Sequence, residues 1–181
     1  DRAHRMHKAG FLPSLTLDLD AARARAAQAL LNATKDGSLR NGPKDDTYDA
    51  SLAQAAILGF PNRDVCETTM QSIARALAVQ AGGKETGFYF RYLRTDDFGR
   101  PQSSFVICSF WVVQGLARLG RMAEAQQIMA QVLTGANHLG LFSEHFVPET
   151  RTQLGNFPQA YSHVGLINAA FAVSPSWTTV L

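Results

Sequence analysis

The sequence predicts an all-α protein built from helical hairpins. Three observations carry this. Apolar residues recur at helical spacing through most of the chain. Glycine, proline, asparagine or aspartate punctuates each periodic run. No series of alternating segments long enough to build a sheet comes between the runs.

The elements follow in order. "DLDAARARAAQALLNATKDG" opens with a cap near Asp20, sets Ala22, Ala26, Ala29 and Ala33 along one side, and stops at Gly37. After the polar "SLRNGPKDD", a second helix is expected near Thr47, carrying Tyr48, Leu52, Ala55 and Ala56 until "GFPN" breaks it. Asn62 caps a third helix with Val65, Cys66, Thr69, Ile73 and Leu77 on one side, closed by Gly82 and Gly83. "GFYFRYLRTDDFGRPQ" alternates enough for a short strand, but its Gly and Asp residues favour a structured loop. "SSFVICSFWVVQGLARLG" is apolar nearly all round, the mark of a helix buried on more than one side. Gly120 ends it, and "RMAEAQQIMAQVLTGAN" returns as the second arm of a tight αα-hairpin. A last helix is expected from about Pro158.

Composition narrows the function classes. The 181 residues are the size of one domain, spanning 1–181, and 46% hydrophobic with 18% charged is a globular rather than a disordered balance. A net charge of +2 without a basic run argues against nucleic acid or an anionic membrane as the main partner. No apolar run approaches the ~18 residues needed to cross a bilayer. Cys66 and Cys108 lie in apolar helical patterns without a CxxC, so both read as buried thiols in a reducing, cytoplasmic setting. The polar opening "DRAHRMHKAGF" has no apolar h-region and no initiator Met, and reads like the tail of a helix under way. The expectation is a piece of something larger.

Few residues offer chemistry. His4 and His7 are one turn apart without acidic or thiol partners in the sequence around them, so no metal site is expected. His163 falls within an apolar helix and reads as a satisfied core histidine. No GxSxG, phosphate-binding Gly loop or HExxH is present, and nothing calls for a cofactor. Glu144 is different. It stands between Phe142 and Phe146 ahead of a turn and an apolar helix. That is the setting either of a solvated turn acid or of a carboxylate that handles water. Arg91 reads equally as a surface arginine or a ligand-binding one, and Tyr161 as core or pocket wall.

Four segments, "YDASL", "GFYFRYLRTDDFG", "SFVICSFWVVQGLARLGR" and "GLFSEHFVPETRTQLGNFPQAYSHVGLINAA", resemble in order those of glycoside hydrolase family 15, which includes glucoamylases, glucodextranases and bacterial trehalase-type enzymes. The resemblance covers most of the chain from about Thr47 and implies the C-terminal portion of an (α/α)6 toroid of six hairpins. It further implies an inverting hydrolase of terminal α-glucosidic bonds, with an α-glucoside oligosaccharide or trehalose as substrate. On that reading Glu144 is the general base, with Phe142 and Phe146 restricting bulk water. Arg91 and Tyr161 bind sugar, Phe105 edges the pocket, and Trp111 is core. Asp96 and Asp97 read as turn residues, and Glu149 as a solvated turn acid. His145 stands where family members often carry Glu or Gln. The family's general acid lies upstream in a Trp-Glu type motif that this chain lacks. The isolated chain is therefore expected to be inactive and to associate with the N-terminal remainder of the enzyme or with itself. The competing class is a non-catalytic helical-hairpin interaction module, a solenoid or a degenerate hydrolase remnant. The tetratricopeptide-like "GLARLGRMAEAQQIMAQVL" has no second copy at the required period.

Overall fold

A computed structural model describes residues 2–12, 18–97, 99–176 and 179. In chain order the first elements are α1 (Arg2–Lys8), α2 (Leu19–Asn32), and a small hairpin of β1 (Thr34–Lys35) and β2 (Ser38–Leu39). A 3-10 turn (Ala50–Ala53) then runs into α3 (Gln54–Ile57), followed by α4 (Arg63–Leu77), β3 (Ala78–Ala81) and β4 (Lys84–Tyr89). The last are β5 (Ser104–Phe105), α5 (Val106–Arg118), α6 (Met122–Leu133), β6 (His145–Val147), β7 (Thr152–Leu154) and α7 (Ala160–Val173). Helices dominate, as predicted, but the one expected from near Thr47 is a 3-10 turn and a single α turn that begin only at Ala50, leaving Tyr48 outside it. The expectation of no strand series is not met: among the described residues three small antiparallel sheets, β1-β2, β3-β4 and β5-β6-β7, tie the helices at their ends.

Local signals explain most boundaries. Asp18, not Asp20, caps α2, accepting from the Ala21 N–H at 2.9 Å. Asp20 sits in the first turn, where its charge suits the helix dipole, and pairs with the buried His4 at 3.2 Å. His4 thus has the acidic partner that its sequence neighbourhood did not offer. The alanine side of α2 is not a core face, because Ala26 and Ala29 are exposed and the helix has no buried residue. Asn62 caps α4 as expected, and Val65, Cys66, Thr69, Ile73 and Leu77 are all buried.

Helix α4 stops at Leu77 rather than at the glycines. Val79 is buried while Gln80 is exposed, and Gly82 and Gly83 make the turn that returns β4. "GFY" is consequently strand, with Phe88 and Tyr89 buried, and the predicted loop begins only at Phe90. Phe98 of that loop lies outside the described residues, as does Asp1. In the loop, Asp96 and Gly99 exchange backbone hydrogen bonds of 3.1 and 3.0 Å, the turn role expected of this acid.

The core is centred on α5. Val106, Ile107, Cys108, Phe110, Val112 and Val113 are essentially inaccessible, as predicted for a helix covered on several sides. Helix α6 returns antiparallel to it. Helix α7 runs in the same direction as α5. At its start Ser162 donates to the Ser143 carbonyl, whose neighbour Glu144 accepts from the Val106 N–H; at its end the Val173 carbonyl meets Gln126, near the start of α6. The approach is close. A Cβ at Gly165 would collide with the Ile107 δ-methyl and lie 3.1 Å from the Phe110 ring. On the opposite face of α7, Val164, Ile167 and Phe171 are 52%, 53% and 57% exposed. Among the described residues no helix is long and apolar enough to cross a membrane.

Candidate active site

Two groups of predicted residues collect around the amino-terminal end of α5. The first is built on the β5-β6-β7 sheet. Phe105 pairs with His145 and Ser104 with Phe146, so the strand that leads into α5 lies beside the strand that follows Glu144. The Ser104 hydroxyl seals this by donating to the Phe146 carbonyl at 2.6 Å. The Glu144 carbonyl accepts from the first N–H of α5 at 3.0 Å, one of the donors a helix start leaves open.

Glu144 is half-buried, neither a free surface acid nor a core residue. Its Oε2 accepts from the Asn156 backbone N–H at 3.2 Å and from Asn156 Nδ2 at 3.0 Å. Phe142 and Phe146, expected to shield Glu144 from water, point into the core. Phe142 packs edge-on against Phe110, 5.5 Å between centroids, and Phe146 lies 4.7 Å from Phe88. They anchor the strand on either side of Glu144 and are not walls of a site. His145 stacks on Phe105 at 5.0 Å and meets the Ser103 hydroxyl at 3.2 Å. Glu149 is exposed.

The second group lines a groove of about 560 Å³ between α3, α5 and α7. Arg91 and Tyr161 both reach it, with Trp111, Gln114 and Asn168 further along its walls. Trp111 serves two ends: it is buried, as expected, yet its ring meets Tyr161 edge-on at 6.1 Å and forms part of the groove. Arg91 is held by a residue that the sequence reading passed over. Both oxygens of buried Asp49 accept from its Nε–H, at 3.3 and 3.2 Å, while Asp49 also caps the 3-10 turn through the Ser51 N–H at 2.8 Å. Asp49 belongs to "YDASL" and is visible there as an Asx cap. Its partner lies 42 residues away and is not visible.

Arg91 and Tyr161 therefore share one groove, whereas Phe105, in β5, and Glu144, just ahead of β6, stand outside its lining. A larger apolar hollow of about 770 Å³ under α2, lined by Ala24, Leu30, Leu52 and Phe60 among others, contains none of the predicted residues. His163 proves to be more than core filling. Its Nδ1 lies 2.8 Å from the Gln159 carbonyl and its Nε2 accepts from the Phe142 N–H at 3.4 Å. The imidazole thereby fastens the Glu144 strand to α7.

Residues 119–171, which include Glu144 and Tyr161, match the family described as Glycosyl hydrolases family 15. The chain is 37% identical over 142 residues to the trehalase of Mycolicibacterium smegmatis, covering 77% of this chain and 21% of that protein. It is 38% identical over 125 residues to the trehalase of Thermoplasma acidophilum, covering 67% and 20%. A solved structure described as a wild-type glycosidase superposes with a TM-score of 0.70 at 21% identity, over 87% of this chain and 46% of that one. A variant of that glycosidase in complex with glucose gives 0.69 at 20% identity over the same shares. The chain spans about a fifth of the length of the curated relatives it matches and just under half of these solved chains. The family match and the similarity to trehalases over most of its residues place this chain in glycosyl hydrolases family 15.

Proposed function

We propose that this chain supplies the water-activating side of an inverting glycoside hydrolase of trehalase type, with Glu144 as general base. The observation that carries the proposal is the anchoring of Glu144. In a chain 37% identical to a trehalase, this half-buried carboxylate is tethered through one oxygen at the amino-terminal end of α5. Arg91 and Tyr161 line a groove that starts at the same end.

The chemistry follows from inversion. A water held by Glu144 attacks the anomeric carbon from the face opposite the departing oxygen and gives its proton to the carboxylate. A second carboxyl about 6.5–9.5 Å away protonates the leaving oxygen. In this reading that acid belongs to polypeptide outside the chain, so residues 1–181 alone do not turn over substrate. Arg91 offers a planar donor fork to sugar hydroxyls, and Tyr161 an aromatic face to pyranose C–H groups. Phe105, stacked on His145 beside Glu144, forms the rim on the water side. The substrate is an α-glucoside, trehalose first among the candidates, because the relatives are named trehalases and a fold neighbour binds glucose. The helices form part of an (α/α)6 toroid, and the side of α7 that exposes Val164 and Ile167 is where the remainder of the toroid packs. The setting is cytoplasmic.

The test uses the full-length polypeptide that carries this segment, with trehalose as substrate and the products followed by NMR before mutarotation. Inversion releases one α- and one β-glucose per trehalose, and retention releases two α. Glu144→Gln should lower kcat by about 10²–10⁴-fold with KM little changed. Retention, or a Glu144→Gln enzyme with wild-type kcat, would overturn the proposal.

A further inference from the structure

We infer that Asn156, presented by Gly155, is the positioning residue that divides the two oxygens of Glu144 between separate tasks. The inference rests on the reading of Glu144 as general base. Both donors of Asn156, its backbone N–H and its side-chain amide, converge on Oε2 at 3.2 and 3.0 Å. Asn156 also returns its carbonyl to the Glu144 N–H at 3.0 Å, so the two residues are tied through main chain and side chain together. Among the described residues no hydrogen bond is made to Oε1. One oxygen is anchored, and the other is left to accept from water.

The backbone explains how a turn residue can do this. Strand β7 ends at Leu154, paired with His145, so residues 155 and 156 emerge alongside Glu144. Gly155 has φ +76°, the left-handed region that side chains disfavour. A Cβ there would stand 2.8 Å from Glu144 Oε2 and 3.0 Å from Glu144 Cβ. Glycine therefore serves twice, turning the chain and letting the backbone N–H of the next residue come within reach of the carboxylate. An amide suits position 156 because it donates to a carboxylate without adding a charge beside it. An aspartate there would face Glu144 with a like charge.

The role makes a kinetic demand. A general base must hold its free oxygen at hydrogen-bond reach of one water, and a shift of about 1 Å can cost on the order of 10²-fold in rate. In the full-length enzyme acting on trehalose, Asn156→Ala should lower kcat roughly ten- to hundredfold with KM within about twofold. The decisive readout is the Glu144→Ala background with azide supplied. Azide attacks the anomeric carbon where water would, the glycosidic C–O bond breaks, and the leaving oxygen takes the enzyme's acidic proton, so no base is needed. There Asn156→Ala should leave the azide-supported rate within about twofold, because Asn156 acts only through Glu144. An equal loss in both backgrounds would show a merely structural role and overturn the inference. Gly155→Ala, which pushes on the same carboxylate, should lower kcat in the wild-type background as Asn156→Ala does. A wild-type kcat for Asn156→Ala alongside an inactive Glu144→Gln would overturn the positioning role alone. Wild-type turnover by Glu144→Gln would instead remove the base assignment beneath it.

Discussion

Arg91 and Asp49 form an ion pair in which a half-exposed guanidinium is held through its Nε by both oxygens of a carboxylate whose side chain is only 8% exposed. This geometry engages the inner edge of the arginine. Asp49 is itself fixed by the Ser51 N–H, so the orientation of Arg91 is set by the cap of a 3-10 turn.

Asp49→Ala should therefore weaken substrate binding although Asp49 is not among the groove-lining residues. In the full-length enzyme, Asp49→Ala and Arg91→Ala should each raise KM for trehalose. Their combined effect should be smaller than the sum, since one acts through the other. Asp49→Ala should also lower stability by about 1–2 kcal/mol, through the lost cap and the weakened, partly solvated pair. Steady-state kinetics and urea denaturation of the three variants check both statements.

Glu149 provides an internal control five residues from Glu144. It is exposed, beyond the strand that anchors the candidate base. Glu149→Gln should leave kcat and KM within about twofold of wild type, against the large kcat loss expected for Glu144→Gln. The two assayed side by side separate a general base from a nearby negative charge.

Gly165→Ala should destabilise the protein by about 1–3 kcal/mol, the usual range for overpacking a filled core. The Ile107 δ-methyl can swing aside, but Phe110, fully buried, presents both its ring at 3.1 Å and its Cβ at 3.2 Å to the new methyl. A lowered urea midpoint with an unchanged m-value would identify stability, not compactness, as what changed.

Stability should fall as pH rises above about 8.5. Burial pushes the Cys108 thiol far above its ordinary range, raises that of Cys66 by the same cause, and lifts the Tyr89 phenol to about 12. Each group holds its proton to higher pH in the folded protein than in the unfolded chain, so the unfolded state binds fewer protons and gains from rising pH. The contribution of the thiols is fully present below their unfolded value of about 8.5. That of Tyr89 is present below about 10 and is lost as pH climbs through about 12. By pH 10 a fully protected thiol accounts for on the order of 2 kcal/mol. Cys108→Ala should flatten the decline, measured as the change in urea midpoint between pH 7 and pH 10.

The helices were legible because their signals are local. Asn62 caps α4 through a hydrogen bond three residues away, and the continuous apolar text of α5 admits nothing but a covered helix. The strands were not legible. β5 is two residues long and exists only because residues about 40 positions away pair with it, a register that no local pattern records. The candidate site divides in the same way. Glu144, Arg91, Tyr161 and Phe105 stood out by resemblance, whereas Asp49 and Asn156, which hold two of them, were hidden in a cap and a turn. "LGNFP" reads as punctuation until Gly155 and Asn156 are seen against a carboxylate. Phe142 and Phe146 misled for the opposite reason. Aromatic neighbours suggest a pocket wall, but Phe142 packs on Phe110 and Phe146 on Phe88, both inside the core.

The Ser104–Phe146 pairing has a consequence for the order in which the molecule assembles. β5 and β6 flank the α5–α6 hairpin, whose own contacts are local and so are expected to form early. Once that hairpin exists, joining the strands no longer means closing a long flexible loop but bringing together two ends that a rigid fork already holds near each other. The carboxylate at position 144 is thus expected to reach its place after the hairpin has formed, and a substitution that loosens the fork should delay the pairing of β5 with β6. Refolding followed by two probes should show helical signal returning before the Phe105–His145 stack closes.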